Sequence, residues 1–314
     1  MSWIGFALSS YALGALAALL DKYLLGSRRI PSVSLYVFFV AFLGAAVALL
    51  APLGIFYEPL NPGLPESGML WRCMLAGMLY TGGLGFFYLA IKRARASQAV
   101  PVVFSLVPLV AFLGEVIQGK AFLSTEMLGG ISLLVLGGLL ISFDLPLKID
   151  RRKFFAGFPA ALTAGVLLGV SYVALSRIYT ERSFFSGFFW TRLGGLLTAA
   201  ALFLHAPSRK EIKNAFKLAG RRKKQKEHLA TGALFLLNKI IGGTGSILFN
   251  KALSLGSASS VNALASFQFV FVFLLALPFA KFHGEIFEES GSFWDWAQKW
   301  AAVGLIGVGL FLIS

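Results

Sequence analysis

Apolar residues run through this chain in long blocks separated by short polar or basic segments, with no alternation of the kind a half-buried strand would need. Ten blocks stand out, at about 3–20, 33–56, 69–91, 98–118, 126–143, 154–179, 184–205, 229–253, 259–280 and 296–313. Each is close to the ~20 residues a helix needs to cross ~30 Å of hydrocarbon. The pattern predicts an all-α integral membrane protein with ten transmembrane helices and little chain outside the bilayer. The largest polar segment, 206–228, has room for one short helix but not for a soluble domain.

The second five blocks repeat the first five. Gly14 to Lys22 lies over Gly169 to Arg177, and the same offset of 155 brings Ala51-Pro52 onto Ala206-Pro207. Farther on, Ala90, Ala96 and Ser97 match Ala252, Ala258 and Ser259 at an offset of 162, and both halves end in Leu-Ile-Ser, at Ser142 and Ser314. The offset grows only across loops. Residues 1–147 and 148–314 therefore read as two five-helix repeats. Five is odd, so the halves are expected to lie in the membrane with opposite orientation, as inverted repeats do in many secondary transporters.

Charge tests the topology independently, because Lys and Arg gather in cytoplasmic loops. The odd-numbered loops carry twenty-one basic residues and the even-numbered loops four, the richest being loop 7 with nine between Arg209 and Lys226. Odd loops are thus expected in the cytoplasm, with both termini outside and the protein multi-pass in the plasma membrane. Composition agrees with the membrane reading: 57% of residues are hydrophobic and 13% charged, with mean hydropathy +0.78, against ~25% charged in an average soluble domain. Topology already accounts for the net charge of +14, so no nucleic-acid partner is expected. Cys73, the single cysteine, excludes an internal disulfide or thiolate cluster. The N-terminal block lacks the basic start of a secretory signal and reads as the first span.

The chain resembles the ten-helix EamA-like members of the drug/metabolite transporter superfamily. The resemblance is carried by Tyr88-Leu-Ala-Ile-Lys-Arg-Ala-Arg-Ala-Ser-Gln-Ala-Val, by Pro108, by the pairs Gly129-Gly130 and Gly137-Gly138, and by Asp21-Lys22 ending the first helix. It implies export of a small polar metabolite, such as an amino acid or organic anion. Two departures stand out. Gly119-Lys120-Ala121 replaces the family's Gly-Glu-Arg after the fourth helix, with an acid kept nearby in the second half at His283-Gly284-Glu285. Family members are generally drawn with cytoplasmic termini, whereas the charge count here puts both outside.

No phosphate-cradling loop, nucleophile and base pair, or spaced metal ligands occur, so neither an enzyme nor a cofactor or metal is expected. The informative residues are polar ones inside spans, where a charge costs at least ~2.5–3.5 kcal/mol on insertion scales. Arg192 and Lys239 are the sharpest, either as cations for an anionic substrate group or as members of a structural pair with an acid such as Glu115. Glu115 is a candidate coupling carboxylate or an interfacial cap. Glycine clusters recur at Thr81-Gly82-Gly83-Leu-Gly85 and Gly242-Gly243-Thr244-Gly245-Ser246, pointing to interrupted helices around a midplane site or to close helix packing. Tyr80, Thr81, Asn238 and Thr244 join that candidate site, with Ser10, Tyr11, Gln98, Tyr172, Asn262 and Gln268 as further cavity lining.

Alternating access of the two halves around a central cavity is the expected mechanism. Two alternatives are a flippase for a lipid-linked substrate, which predicts a lateral opening, and a scaffold or sensor, in which Arg192, Lys239 and Glu115 pair with one another and leave no polar cavity. In loop 7, Ile212, Ala215, Phe216 and Ala219 share a helical face opposite basic residues, a design for lying on anionic headgroups. Trp3, Trp71, Trp294, Trp296 and Trp300 read as interfacial anchors. Duplication removes the need for a dimer, so a monomer or weak homodimer is expected.

Overall fold

The computed structural model describes residues 3–27, 30, 32–55, 60–94, 96–119, 124–142, 151–219, 225–265, 267–268, 270–272, 274–275 and 293–313. All regular structure among them is helical: α1 (Trp3–Gly26), α2 (Val33–Ala45) continued by a 3₁₀ segment (Ala46–Ile55), α3 (Ser67–Arg93), α4 (Ala96–Ile117), α5 (Thr125–Ser142), α6 (Arg151–Glu181), α7 (Phe184–Leu204), α8 (Ala206–Ala219), α9 (Gln225–Leu253), α10 (Ala258–Ala263) and α11 (Phe293–Ile313). Among the described residues six helices are long and apolar enough to cross a membrane: Trp3–Gly26, Val33–Leu53, Ser67–Arg93, Gly157–Glu181, Phe184–Leu204 and Leu229–Leu253. Val102–Ile117, Thr125–Gly137 and Trp300–Gly309 are shorter apolar helices. Lys148, Lys281, His283, the basic run 221–224 and, within the ninth expected span, 266, 269, 273 and 276–280 lie outside the described residues.

Boundaries follow local chemistry. Ser32, Ser183 and Ser257 cap α2, α7 and α10, each accepting from an amide three residues on. The second span changes to 3₁₀ pitch before Pro52, whose ring cannot continue an α-helix unstrained. Helix α1 runs to Gly26 rather than stopping near residue 20, because Tyr23, Leu24 and Leu25 resume the apolar run beyond Asp21-Lys22. The polar segment after α7 forms α8, with Ile212 buried and Arg209, Lys210 and Lys213 exposed.

Contacts sort the connections into two ends of the bundle. At one end, Lys22 of α1 donates to the Ile91 and Ala94 carbonyls at the close of α3 (2.9 and 2.7 Å), capping that helix with a cation where its dipole is negative. Gly157 near the start of α6 abuts Ala94, Ser32 before α2 donates to Glu211 of α8, and Gln298 of α11 donates to the Leu140 carbonyl near the end of α5. At the other end, Arg72 of α3 grips Glu181 of α6 (2.8 Å), and the Trp190 indole donates to the Gly63 carbonyl (2.8 Å). Glu115 of α4 accepts from the Ser259 amide (3.2 Å), and Gly256 packs against Trp3. The described helix ends that border odd-numbered loops meet at the first end, and those that border even-numbered loops at the second. Trp71 and Trp300, both exposed, sit toward opposite ends, as anchors at two interfaces would.

Small residues let helices cross at backbone contact. A Cβ on Gly77 would fall 1.8 Å from the Thr191 carbonyl oxygen, and one on Gly194 would fall 2.5 Å from that of Met74, so α3 and α7 touch main chain to main chain. Gly165 and Gly169 of α6 receive Leu106 and Val110 of α4 in the same way. Neither α3 nor α9 is interrupted at its glycine cluster: Gly83 packs on Leu168, Gly245 on α1, and Gly82 and Gly243 face open space. Of the two readings of these clusters, interrupted helices are not found and close packing is, because removing side chains here brings neighbours close without breaking the backbone ladder. Gly77→Val should cost more than the ~1–3 kcal/mol of ordinary overpacking, read as a lowered thermal transition in detergent, while Gly82→Ala should stay within about 0.5 kcal/mol.

Candidate functional site

A cavity of about 680 Å³ lies within the bundle, lined from α1, α2 and its 3₁₀ extension, α3, α6, α7 and α9, with Phe104 and Gln268 contributing from α4 and the segment after α10. That volume suits a small organic molecule. Most of the described wall is aromatic or aliphatic, and its charged members among the described residues are Arg192, Asp21 and Lys239.

Lys239 is partnered. Its Nζ lies 2.8 Å from Oδ1 of Asp21, which is 4% exposed. The same carboxylate oxygen also accepts from the Tyr36 hydroxyl and the Asn238 amide. The ammonium further sits over the rings of Tyr36 and Tyr88, 4.4 and 4.9 Å from their centroids. Helices α1, α2, α3 and α9 meet in this cluster, which lies toward the end where Lys22 caps α3 and closes the cavity there. The partner is therefore Asp21, not Glu115. Asp21 was hard to find as a site residue because it stands just beyond the hydropathy-defined end of the first span; the apolar residues after it were the available signal.

Arg192 is different. Among the described residues it has no carboxylate partner. Its guanidinium donates to the Ser246 hydroxyl (2.5 Å) and lies over Tyr80 and Phe188, 4.7 and 4.6 Å from their centroids. Ser246 is held in turn: Tyr80 Oη is 3.2 Å from its hydroxyl, and Asn250 donates to its carbonyl (2.7 Å) while accepting from Tyr179 (2.7 Å). Four helices, α3, α6, α7 and α9, thus fix one cation facing a largely apolar space. Ser246 and Phe188 were not anticipated; the signal for Ser246 was its place one residue past Gly245.

Of the expected lining residues, Ser10, Tyr11, Tyr80, Thr81, Tyr172, Arg192, Lys239 and Gln268 do border the cavity. Tyr11 donates to the Val261 carbonyl (2.9 Å) and packs with Tyr172 around Phe249. Asn238 lies one layer behind, fully buried, orienting Asp21. Asn262 spends its amide on the Ala258 carbonyl (2.7 Å), within its own short helix. Thr244 is exposed on the outer face of α9, because its neighbours Gly242, Gly243 and Gly245 take the inward arc. The side chain of Gln98 lies outside the described residues. Glu115 does not reach the cavity; it caps the start of α10.

A test of the buried pair follows. Asp21→Asn or Lys239→Met alone leaves one charge stranded and should cost about 3–5 kcal/mol. The double substitution should recover much of that loss, read as non-additive thermal shifts in a double-mutant cycle.

No family model matches the chain, and no curated protein matches it. Among solved structures 23 chains match. One, described only as the crystal structure of a protein, is similar over 98% of this chain and 95% of its own, with 19% identity and a TM-score of 0.62. A likeness at that identity is one of fold.

Proposed function

We propose that the chain is a secondary transporter for a small organic anion, working by alternating access between two inverted five-helix halves. The observation that carries this reading is Arg192: a cation held inside a cavity of about 680 Å³, facing aromatic rings and without a carboxylate partner among the described residues. An arginine so placed costs ~2.5–3.5 kcal/mol to insert. A carboxylate or phosphate on the substrate would offset that cost through two parallel hydrogen bonds. The scaffold alternative is disfavoured, since Lys239, Glu115 and Arg192 each take a different partner and the cavity between the halves is sizeable.

Helix direction supports the inverted duplication. The contacts at the two ends imply that α1 and α6, α2 and α7, α3 and α9, and α5 and α11 run antiparallel within each pair. These are the pairs that the offsets in sequence match. Ten spans and the EamA-like resemblance belong to the same proposal. The Asp21 cluster closes the cavity toward the basic end, and its release is the step that would open that side.

The basic end is proposed to face the cytoplasm, with α8 lying on anionic headgroups through Arg209, Lys210 and Lys213. Placing Lys210→Cys in a Cys73→Ala background should give a thiol resistant to a membrane-impermeant reagent in intact cells. Ser124→Cys, at the opposite end, should label readily. The reverse result would invert the orientation.

Transport is read by counterflow in proteoliposomes loaded with pooled organic anions and amino acids. The native chain should exchange an anionic pool. Arg192→Ala should lower apparent affinity by on the order of tenfold or more, the loss of a charge-assisted bidentate contact, and Arg192→Lys should retain part of it. Undiminished exchange in a folded Arg192→Ala protein removes the site.

A further inference from the structure

Among the described residues, the exposed part of the cavity lining lies on two elements. Of the cavity's described lining residues, those that are themselves exposed are Leu43, Ala46, Leu49 and Leu50 on the second span and Gly243 and Ile247 on α9, all of them apolar. These two elements flank one gap. Helix α2 meets α9 only marginally, where its counterpart crossing, α3 on α7, is sealed at backbone contact by Gly77 and Gly194.

Toward each end of the cavity, described residues stand across it. Toward the basic end stands the cluster of Asp21, Lys239, Tyr36 and Tyr88. Toward the other end, Leu60, Phe184 and Phe185 form the lining. The loop that carries Leu60 is tied to α7 by the Ser186 hydroxyl on the Pro62 carbonyl and by the Trp190 indole on Gly63. A mouth meant for a water-borne solute would carry a polar or charged rim. An apolar rim between two membrane-spanning segments faces hydrocarbon, and exposed leucine and isoleucine there cost nothing against lipid tails.

From this geometry, and resting on the anion-transport reading above, we infer that the substrate is an amphiphilic anion drawn from the bilayer. Its carboxylate or phosphate sits at Arg192, and its apolar chain leaves between α2 and α9 through the gap at Leu43, Leu50 and Ile247. Charge and shape point the same way. Arg192 supplies one positive charge for a single anionic head, with Ser246 as an additional polar contact. The ring wall of Tyr11, Tyr80, Tyr172 and Phe249 offers the first methylenes an apolar surface. The exposed aliphatic rim then passes the rest of the chain to the membrane, so chain length is not limited by the cavity. Gly243, where a Cβ would meet nothing within 4 Å, keeps the gap wide on the α9 side.

The test uses the full chain in phosphatidylcholine nanodiscs with a diazirine-bearing palmitic acid as photoprobe and mapping of the labelled peptides. Label should concentrate on 43–50 and 243–247 and be displaced by excess unlabelled palmitate. It should fall tenfold or more in Arg192→Ala, with partial recovery in Arg192→Lys. Outward-facing Leu236 and Trp71 report contact with bulk lipid and should take label that excess palmitate does not displace. Labelling of the gap that is no stronger and no more saturable than at Leu236 overturns the proposal. Saturable labelling that ignores Arg192 overturns the assignment of the head group. Because saturability is measured on the native chain, a poorly folding Arg192→Ala leaves the proposal falsifiable. Counterflow of short anions that persists while the gap behaves as bulk-lipid surface would leave the transport reading standing and remove only the amphiphile.

Discussion

A carboxylate inside a membrane protein must be neutralised and hydrogen-bonded where it stands, and the way Asp21 meets that demand organises one end of this molecule. Lys239, Tyr36 and Asn238 all donate to one carboxylate oxygen, drawing α9 and α2 to α1. The next residue, Lys22, reaches across to the last carbonyls of α3. Two adjacent side chains on α1 thus tie three other helices together. Hydrocarbon offers no competing water, so these polar contacts cannot be exchanged locally for solvent, and breaking the cluster means moving helices. The cavity therefore ends at Asp21 on that side.

The two ionisable sites differ in how their charge is met. Lys239 and Asp21 cancel each other's charge, and the rings around them complete the cation's surroundings. Arg192 keeps its charge: a serine hydroxyl and two aromatic faces orient it without neutralising it. Sequence hydropathy scores the two cations alike, as basic residues interrupting a span. Only their partners distinguish them, and those partners lie 218 positions away for Lys239 and 54 for Arg192.

The all-helical character and the long apolar helices were legible because a bilayer constrains both so strongly. Span length, apolar runs and the placement of Lys and Arg all answer to the same slab. Arg192 was visible because a charge in a span is expensive wherever it points. What pattern could not supply was direction. Thr244 and Ser246 differ by two positions on one helix, yet one faces outward and the other holds Arg192; no hydropathy window resolves a rotation of that size. Asp21 was read only as the end of the first helix and not as a site residue, because it lies where the first apolar run pauses, and a window reads a pause as an end. The glycine clusters were ambiguous in kind, since a missing side chain serves close packing at Gly83 and open space at Gly243 equally well.

The proposed duplication carries one more consequence. Under the offsets of 155 and 162, Gly77 and Thr191 correspond to Lys239 and Tyr36. The first pair makes the backbone contact that seals α3 against α7. At the matched crossing stand a lysine and a tyrosine, with the ammonium 4.4 Å from the ring centroid. Side chains of that size cannot be compressed to a main-chain contact, so the crossing of α2 and α9 has no means of closing as its counterpart does. An exact mirror exchange of the halves is thus barred by two residues, and any alternation of access must be asymmetric. The Asp21 cluster joins α2 and α9 through side chains alone, so under the proposed duplication their backbones stay farther apart there than those of α3 and α7.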